Sequence, residues 1–521
     1  MKKNAIIISL SAAAMLGSSC GKEFLNKVPQ DAISPATFWK TEADAKAANI
    51  GCYSSLWDVT TEVLPYLDVL TPNAFNNYPW EGWKNISLSL HTSSDMGSML
   101  TLYRGAYAGI SACNVFLANI DKVTMGDAPK NVMKGEAYFL RAYYYSLLVN
   151  YWGGVPMPLE PPGIAQIDTR KSSRAEVYAQ VEKDLLAATD ALPPTAAERG
   201  RVTKGAAWGL LTRVYLYQDK WQAAADAARK VMAMGYELFP SYRGLFLEKN
   251  ENNSEVIFDV QFLQPRYPTS WDIYLGIYDP LNAPGWSSIE PTQDLVNAYE
   301  MKDGTPYDAT DAIRNPKNPN NENRDPRLDQ TIFRRGQKYN DVPYPVDADG
   351  WPGVYTGYSY KKYTAYDTTT SLKDAVGETG RSQINGIIIR YADILLMLAE
   401  AKNELSGPDA EVYGAINRVR ARPGVDMPPI PAGLNKDQMR QRIRHERRIE
   451  FAGEGLYYPD IRRWKIAETE LNKTLILNGS QMRGATEKRV FRKDRDYLMP
   501  FPLNDLENAP NMKDQQNPGY N

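Results

Sequence analysis

His91 and His445 are the only histidines in this 521-residue chain. Imidazole is the usual base for a serine or cysteine nucleophile and the commonest metal ligand, so most chemistry of either kind is excluded. The run His445-Glu446-Arg447-Arg448-Ile449 starts like a zinc-protease helix but lacks the second histidine. Neither a GxxxxGK[ST] loop nor a GxGxxG after a strand is present to cradle a phosphate. Asp347-Ala348-Asp349-Gly350 has acidic calcium-loop spacing, but Pro345 stands where the first ligand belongs, and no metal or other cofactor is expected. The 62 Asp and Glu leave a carboxylate-pair glycosidase open, because its two acids have no fixed spacing in sequence.

Cys20 is a residue of a different kind. Lys2 and Lys3, the apolar stretch Ala5 to Leu16, and Gly17-Ser18-Ser19 make residues 1–19 a secretory leader whose removal exposes Cys20 as the new N-terminus. A cysteine after small residues resembles the bacterial lipobox, although Leu16 lies four positions before it instead of three. Lipidation of Cys20 is expected, anchoring the chain to a membrane without a spanning helix, since acyl chains bury about 0.8 kcal/mol per methylene. Cys52 and Cys113, the remaining cysteines, are too few for a disulfide scaffold and read as small buried hydrophobes, with mutual pairing as the alternative.

With 43% hydrophobic residues, a mean hydropathy of −0.48 and a net charge of −2, the chain is a globule without the field that nucleic acid would need. Its aromatics lean to 33 Tyr and 11 Trp against 13 Phe, a choice suited to half-wet surfaces. The elements that must position these residues are mainly α-helical. Leu140, Tyr144, Leu147, Leu148 and Tyr151 follow helical spacing up to Gly153-Gly154-Val155-Pro156, and Val177 to Leu192 stops at Pro193-Pro194. Ala207 to Val214 and Trp221 to Met232 are two helices split at Gln218-Asp219-Lys220, and Ile394 to Leu398 with Val412 to Val419 repeat the pairing. Their alanine-rich inner faces resemble tetratricopeptide hairpins. Between Lys249 and Gly386, Pro, Gly, Asn and Asp crowd together around short strand-like runs such as Val256 to Phe262, which predicts a long loop-rich insertion on the helical scaffold. The expected layout is a tether over 20–35, a helical half over 36–248, the insertion over 249–386 and a second helical half over 387–521.

Several blocks then resemble one family, the SusD/RagB outer-membrane lipoproteins of Bacteroidetes. They are GEAYFLRAYYYSLLVNYWGGVP (135–156), RVTKGAA (201–207), RDPRL (324–328), RYADILLMLAEAKNE (390–404), AINRVRARPG (415–424), ERRIEFAGEGLYYPDIRRW (446–464) and QNPGY (516–520). Read physically they are scaffold: Glu446, Arg447, Glu450, Asp460, Arg462 and Arg463 beside Phe451 and Trp464 suit helix ends tied by charge-assisted bonds, and Arg390 with Asp393 reads alike. The resemblance implies a surface lipoprotein that captures a glycan for a SusC-like TonB-dependent transporter, without catalysis. It also implies a glycan site of aromatic and polar side chains on loops away from the hairpins. RagB-like peptide capture, a surface glycosidase and a helical-repeat adaptor are the alternatives.

A sugar ring offers an apolar C–H face and a rim of hydroxyls, so its site needs a flat aromatic and nearby polar side chains. Trp39, Trp57, Trp152, Trp208, Trp221 and Trp464 lie in helical or scaffold context and are read as packing residues. Trp80, Trp83, Trp271, Trp286 and Trp351 lie in loop segments and are the candidate platforms. Asn73, Asn76 and Asn77 precede the first two, and Asp272 and Tyr274 follow Trp271. Asn73, Asn76 and Tyr274 join the tryptophans as expected ligand contacts, Asn73 standing where the family often carries an acid.

Overall fold

The structure is a computed structural model that describes residues 38–61, 63–163, 170–279, 283–308, 323–334, 337–339, 342–343, 355–365, 382–477 and 485–520. The leader, Cys20, the calcium-like run at 347–350 and Trp351 lie outside the described residues.

Long helices form the frame: α1 (Glu42–Tyr53), α2 (Met99–Asn119), α3 (Asp127–Trp152), α4 (Arg174–Ala191), α5 (Lys204–Leu216), α6 (Trp221–Met232), α7 (Tyr391–Ser406), α8 (Ala410–Arg420) and α9 (Lys436–Glu450). Their starts are written locally. Thr41 with Asp44, Ser173 with Glu176, and Asn435 with Gln438 form capping boxes, while Thr203 and Asp409 accept the first free amides of α5 and α8. Consecutive helices from α2 to α8 pack side by side, and α6 meets α7 although the whole insertion separates them in sequence. The C-terminal hairpins therefore extend the N-terminal array as one tetratricopeptide-like stack. Small residues set its spacing: a Cβ on Gly109 of α2 would overlap the Tyr144 ring of α3, so only glycine permits this approach. Cys52 and Cys113 are buried free thiols.

The insertion holds mostly short elements, as its composition predicts. Its ends are joined by the antiparallel pairing of β2 (Val256–Val260) with β4 (Gly386–Arg390), and β1 (Ala74–Phe75) pairs with β3 (Glu290–Pro291). A hairpin of β5 (Thr474–Leu477) and β6 (Ala485–Lys488) comes from the C-terminal half.

The charged blocks meet in the core as an ion network. Arg390 bonds Glu255, Glu450 and Glu454, and Arg422 bonds Glu255 and Glu450. Arg327 bonds Asp325, Glu446 and Glu450, while Lys362 reaches Glu454 at 2.7 Å. The insertion supplies Glu255, Asp325, Arg327 and Lys362, so the network pins it to α9 and its following turn. Arg390 and Asp393 are both scaffold charges, but among the described residues they share no helix and no bond: Arg390 ends β4 facing the glutamates, whereas Asp393, on the first turn of α7, pairs with Arg213 and Arg447.

Candidate functional site

Pairing β1 with β3 sets the loop of residues 76–91 beside the loop of residues 285–289. Pro79 opens the short 3-10 turn Pro79–Glu81, which ends at Gly82 with φ 77°. A Cβ on Gly82 would sit 2.7 Å from the Cα of Gly97, so this left-handed corner requires glycine. The turn holds Trp80 in water, 78% exposed, with Tyr78 stacked beside it at 4.9 Å. Ser98, just before the first residue of α2, donates its hydroxyl to the Glu81 carbonyl at 2.6 Å and fixes the turn to the scaffold.

Trp286 stands on the second loop, 49% exposed. Its backbone is laced down: Trp286 N–H donates to the Ile273 carbonyl at 2.7 Å, Ser287 N–H to Gly276, and Ile289 N–H to Tyr274. Ser287 is held at φ 50°, a left-handed conformation disfavoured for a residue with a side chain. The Tyr78 hydroxyl donates to the Trp286 carbonyl at 3.1 Å and joins the two loops. Tyr355 packs edge-on against Tyr78 at 5.9 Å, and Tyr274 lies 6.1 Å from Trp286. Two ring groups result, Trp80 with Tyr78 and Tyr355, and Trp286 with Tyr274; joined by the Tyr78 hydroxyl bond, they make up the aromatic arc. The hairpin residues Leu475 and Leu477 back the arc through Phe75 and Tyr355.

Two of the predicted platforms belong elsewhere. Trp83 is 1% exposed and lies flat under Tyr66, ring centroids 5.4 Å apart, so it is a core stack and not a ligand surface. Trp271 starts the helix Trp271–Leu275 and packs edge-on against Tyr363 at 4.4 Å, 2% exposed. Tertiary neighbours, not loop composition, decide this burial. Asn73 and Asn76 are also buried rather than at a ligand rim. Asn73 accepts from Arg448 at 2.8 Å, and Asn76 donates to Glu81 and to the Ser288 carbonyl at 2.7 Å, so both amides rivet loops together. Asp272 accepts from the Ala365 amide and from Ser382 in the core. Half-buried Tyr274, at the arc's edge, stays where a ligand contact is expected.

Sequence reasoning missed Tyr78, Tyr355, Glu81 and Ser288. The Tyr78-Pro79-Trp80-Glu81 run was the available signal for the first and third, while nothing local marks Tyr355 or Ser288. Glu81 accepts from the Ser288 hydroxyl at 2.8 Å as well as from Asn76. Burial raises its carboxyl above the ordinary range, and these hydrogen bonds only partly offset that. Burial likewise raises the Tyr78 phenol, so the platform stays neutral near pH 7. Glu290, fully buried, accepts the Tyr355 and Thr356 amides at 3.1 and 2.8 Å. Both carboxylates beside the arc thus brace loops. Half-buried Lys84 and Asn77, bonded at 3.2 Å, supply polar groups at the edge. Among the described residues no cluster of His, Cys, Asp and Glu could hold a metal ion. No helix among them is long and apolar enough to cross a membrane.

A chain with this architecture has many relatives. The model of the SusD family matches residues 254–520, and a second model, described as starch-binding associating with outer membrane, matches residues 26–216. The chain is 27% identical over 548 residues to SusD-like protein P2 of Formosa agariphila, covering 100% of both chains. A SusD-like carbohydrate binding protein of Bacteroides fragilis superposes with a TM-score of 0.82 at 27% identity, covering 91% of this chain and 99% of that one. A laminarin binding SusD-like protein gives a TM-score of 0.72 at 25% identity, covering 92% and 100%. The helical stack, the ion network built from the C-terminal blocks and the matches along nearly the whole length lead to one conclusion: this chain belongs to the SusD/RagB family.

Proposed function

We propose that this protein captures a glycan at the outer surface of the outer membrane and passes it to a SusC-like TonB-dependent transporter, without cleaving it. One observation carries the reading: two indoles, 78% and 49% exposed, stand on adjoining loops that backbone hydrogen bonds hold rigid. Large exposed aromatics are costly unless they meet a partner, and a pyranose C–H face suits a flat neutral ring. The carbohydrate binding and laminarin binding relatives support the ligand class. The name of the N-terminal family model supports the location. Glu81 and Glu290 are occupied by loop hydrogen bonds, which argues against a carboxylate pair working on a glycosidic bond.

Binding is expected at a Kd of roughly 10 μM to 1 mM, because a few stacking contacts must offset the ordering of a flexible chain. A glycan array followed by calorimetry tests this, with a reducing-end assay on the tightest ligand. Capture of peptides with no glycan bound, or turnover that persists after repurification, would replace this reading. Lipid anchoring is tested separately: Cys20→Ala is expected to abolish acyl labelling and release the protein from membranes. Co-purification with its transporter tests the delivery step.

A further inference from the structure

A large cavity lies on the helical scaffold, where the second and third turns of α2 face the C-terminal segment around Asn504–Met512. It encloses about 390 Å³, within the range of small-molecule sites, and is lined by Tyr103, Arg104, Tyr107, Asp505 and Asn508 with Pro158 at its edge. Its walls are preformed. Tyr103 and Tyr107 meet edge-on at 4.9 Å, the Tyr107 hydroxyl donates to the Pro156 carbonyl at 2.8 Å, and the Tyr145 hydroxyl donates to Pro158 at 2.6 Å. On the opposite wall the Asn508 amide donates to the Asn504 carbonyl at 2.8 Å. Asn517 ties the segment's end to Trp152 and Met499 at 2.9 and 2.8 Å.

The chemistry of this lining is mixed in a particular way. Aromatic rings and proline give apolar faces, a carboxylate accepts, a guanidinium donates, and the carboxamides do both. Arg104 and Asp505 bring one charge of each sign to the lining, so a strongly charged ligand has nothing to gain. Arg104 is exposed and makes no ion pair among the described residues. A neutral molecule with an apolar face and a rim of hydroxyls, each both donor and acceptor, matches this set. We infer that the cavity is a second carbohydrate subsite that takes one or two pyranose units of the same chain held by the aromatic arc. The ligand class rests on the glycan reading of the arc; the cavity itself does not. Helix α2 connects the two: Ser98 at its start grips the Trp80 turn, and Tyr107 lies nine residues on, about 14 Å along the axis at 1.5 Å per residue. A polymer engaging both places would bind more tightly than either subsite alone.

The test uses the full folded chain carrying Trp80→Ala and Trp286→Ala, which disables the arc. The probes are methyl glucosides, galactosides, mannosides and xylosides in both anomers, read by saturation-transfer NMR. Transfer to at least one glycoside is expected to survive in the arc variant. It should fall at least about fivefold when Arg104→Ala and Asn508→Ala are added, the loss expected for two hydrogen bonds. Both added changes are at exposed positions, and an unchanged melting temperature shows that the fold is kept. Absence of transfer from every glycoside, transfer indifferent to the two changes, or capture of glycylglycine in their place would overturn the subsite. If the wild-type arc binds no glycan while the cavity does, the arc reading fails and with it the sharing of one chain, while the cavity's own carbohydrate assignment stands.

Discussion

At the scale of single residues, exposure separates tryptophans that composition could not. Trp80 and Trp286 present faces to water, so removing either takes away little of the core and, on the proposed reading, a ligand contact. Trp80→Ala or Trp286→Ala is expected to weaken glycan binding roughly tenfold, about 1.4 kcal/mol, with a nearly unchanged melting temperature; calorimetry and thermal melts decide. Trp83→Ala and Trp271→Ala should do the reverse, costing about 3 to 5 kcal/mol of stability because each empties a packed site. Asp68 is a residue-scale case of another kind. One of its oxygens accepts the Gly453 amide at 2.6 Å, while its Oδ1 is buried and has no hydrogen-bond partner among the described residues. Burial, partly opposed by the Gly453 bond and Lys362, pushes its carboxyl up to about 7. A raised folded-state value means the folded chain binds the extra proton, so this contribution to stability is present below about pH 4 and lost as pH rises through about 7. Asp68→Asn can keep the Gly453 bond and never ionises. Its melting temperature is expected to match wild type at pH 4 and exceed it at pH 8, by roughly 1 to 3 kcal/mol in stability.

At the scale of elements, the site is two loops fixed to rigid supports. The 3-10 turn bearing Trp80 is held by the Gly82 corner behind it and by Ser98 of α2 below it. Gly82→Ala would place a Cβ against the backbone of Gly97 and Ser98 at φ 77°, forcing the corner open. Glycan affinity is expected to fall at least about tenfold, for a stability loss of only about 1 to 2 kcal/mol, because the turn lies at the surface. Ser98→Ala should give the same pattern more weakly. Equal affinity in both variants would mean that Trp80 needs no fixed position and that the arc is not preorganised. The helices obey a different logic: their caps and small inner residues are local features, and their burial comes from neighbours on either side in the stack.

At the scale of the whole molecule, the buried ion network joins segments far apart in sequence, Glu255 and Arg422 being 167 residues apart. Glu450 alone receives Arg327, Arg390 and Arg422, all of them almost fully buried. Burial opposes its charge, but Arg422, Arg390 and Arg327 outweigh it and hold the carboxyl at about 2; Arg213 and Arg447 do the same for Asp393. These depressed values contribute stability that is complete above pH 4 to 5 and lost as pH falls through about 2, opposite in sign to Asp68. Acid unfolding is therefore expected below about pH 4, followed by circular dichroism. Arg390→Met should cost roughly 3 to 5 kcal/mol, since it leaves Glu255, Glu450 and Glu454 short of a partner in the interior. A variant as stable as wild type would show that the remaining cations suffice.

What the sequence determined by itself is what depends on near neighbours along the chain. The end of α3 at Gly153, the break at Gln218-Asp219-Lys220, the loop-rich insertion and the scaffold role of the charged blocks were all legible, because periodicity, caps and breakers act within a few residues. The scarcity of histidine was equally plain. The tertiary structure alone decided which loop aromatics are exposed and which are buried. Trp83 and Trp80 are three residues apart in one loop, yet one lies under Tyr66 and the other in water. The bonds that aim the arc run from Asn76 to Ser288 and from Tyr78 to Trp286, across more than 200 residues. Burial is a property of what the chain brings together from a distance, and no spacing within a loop encodes it.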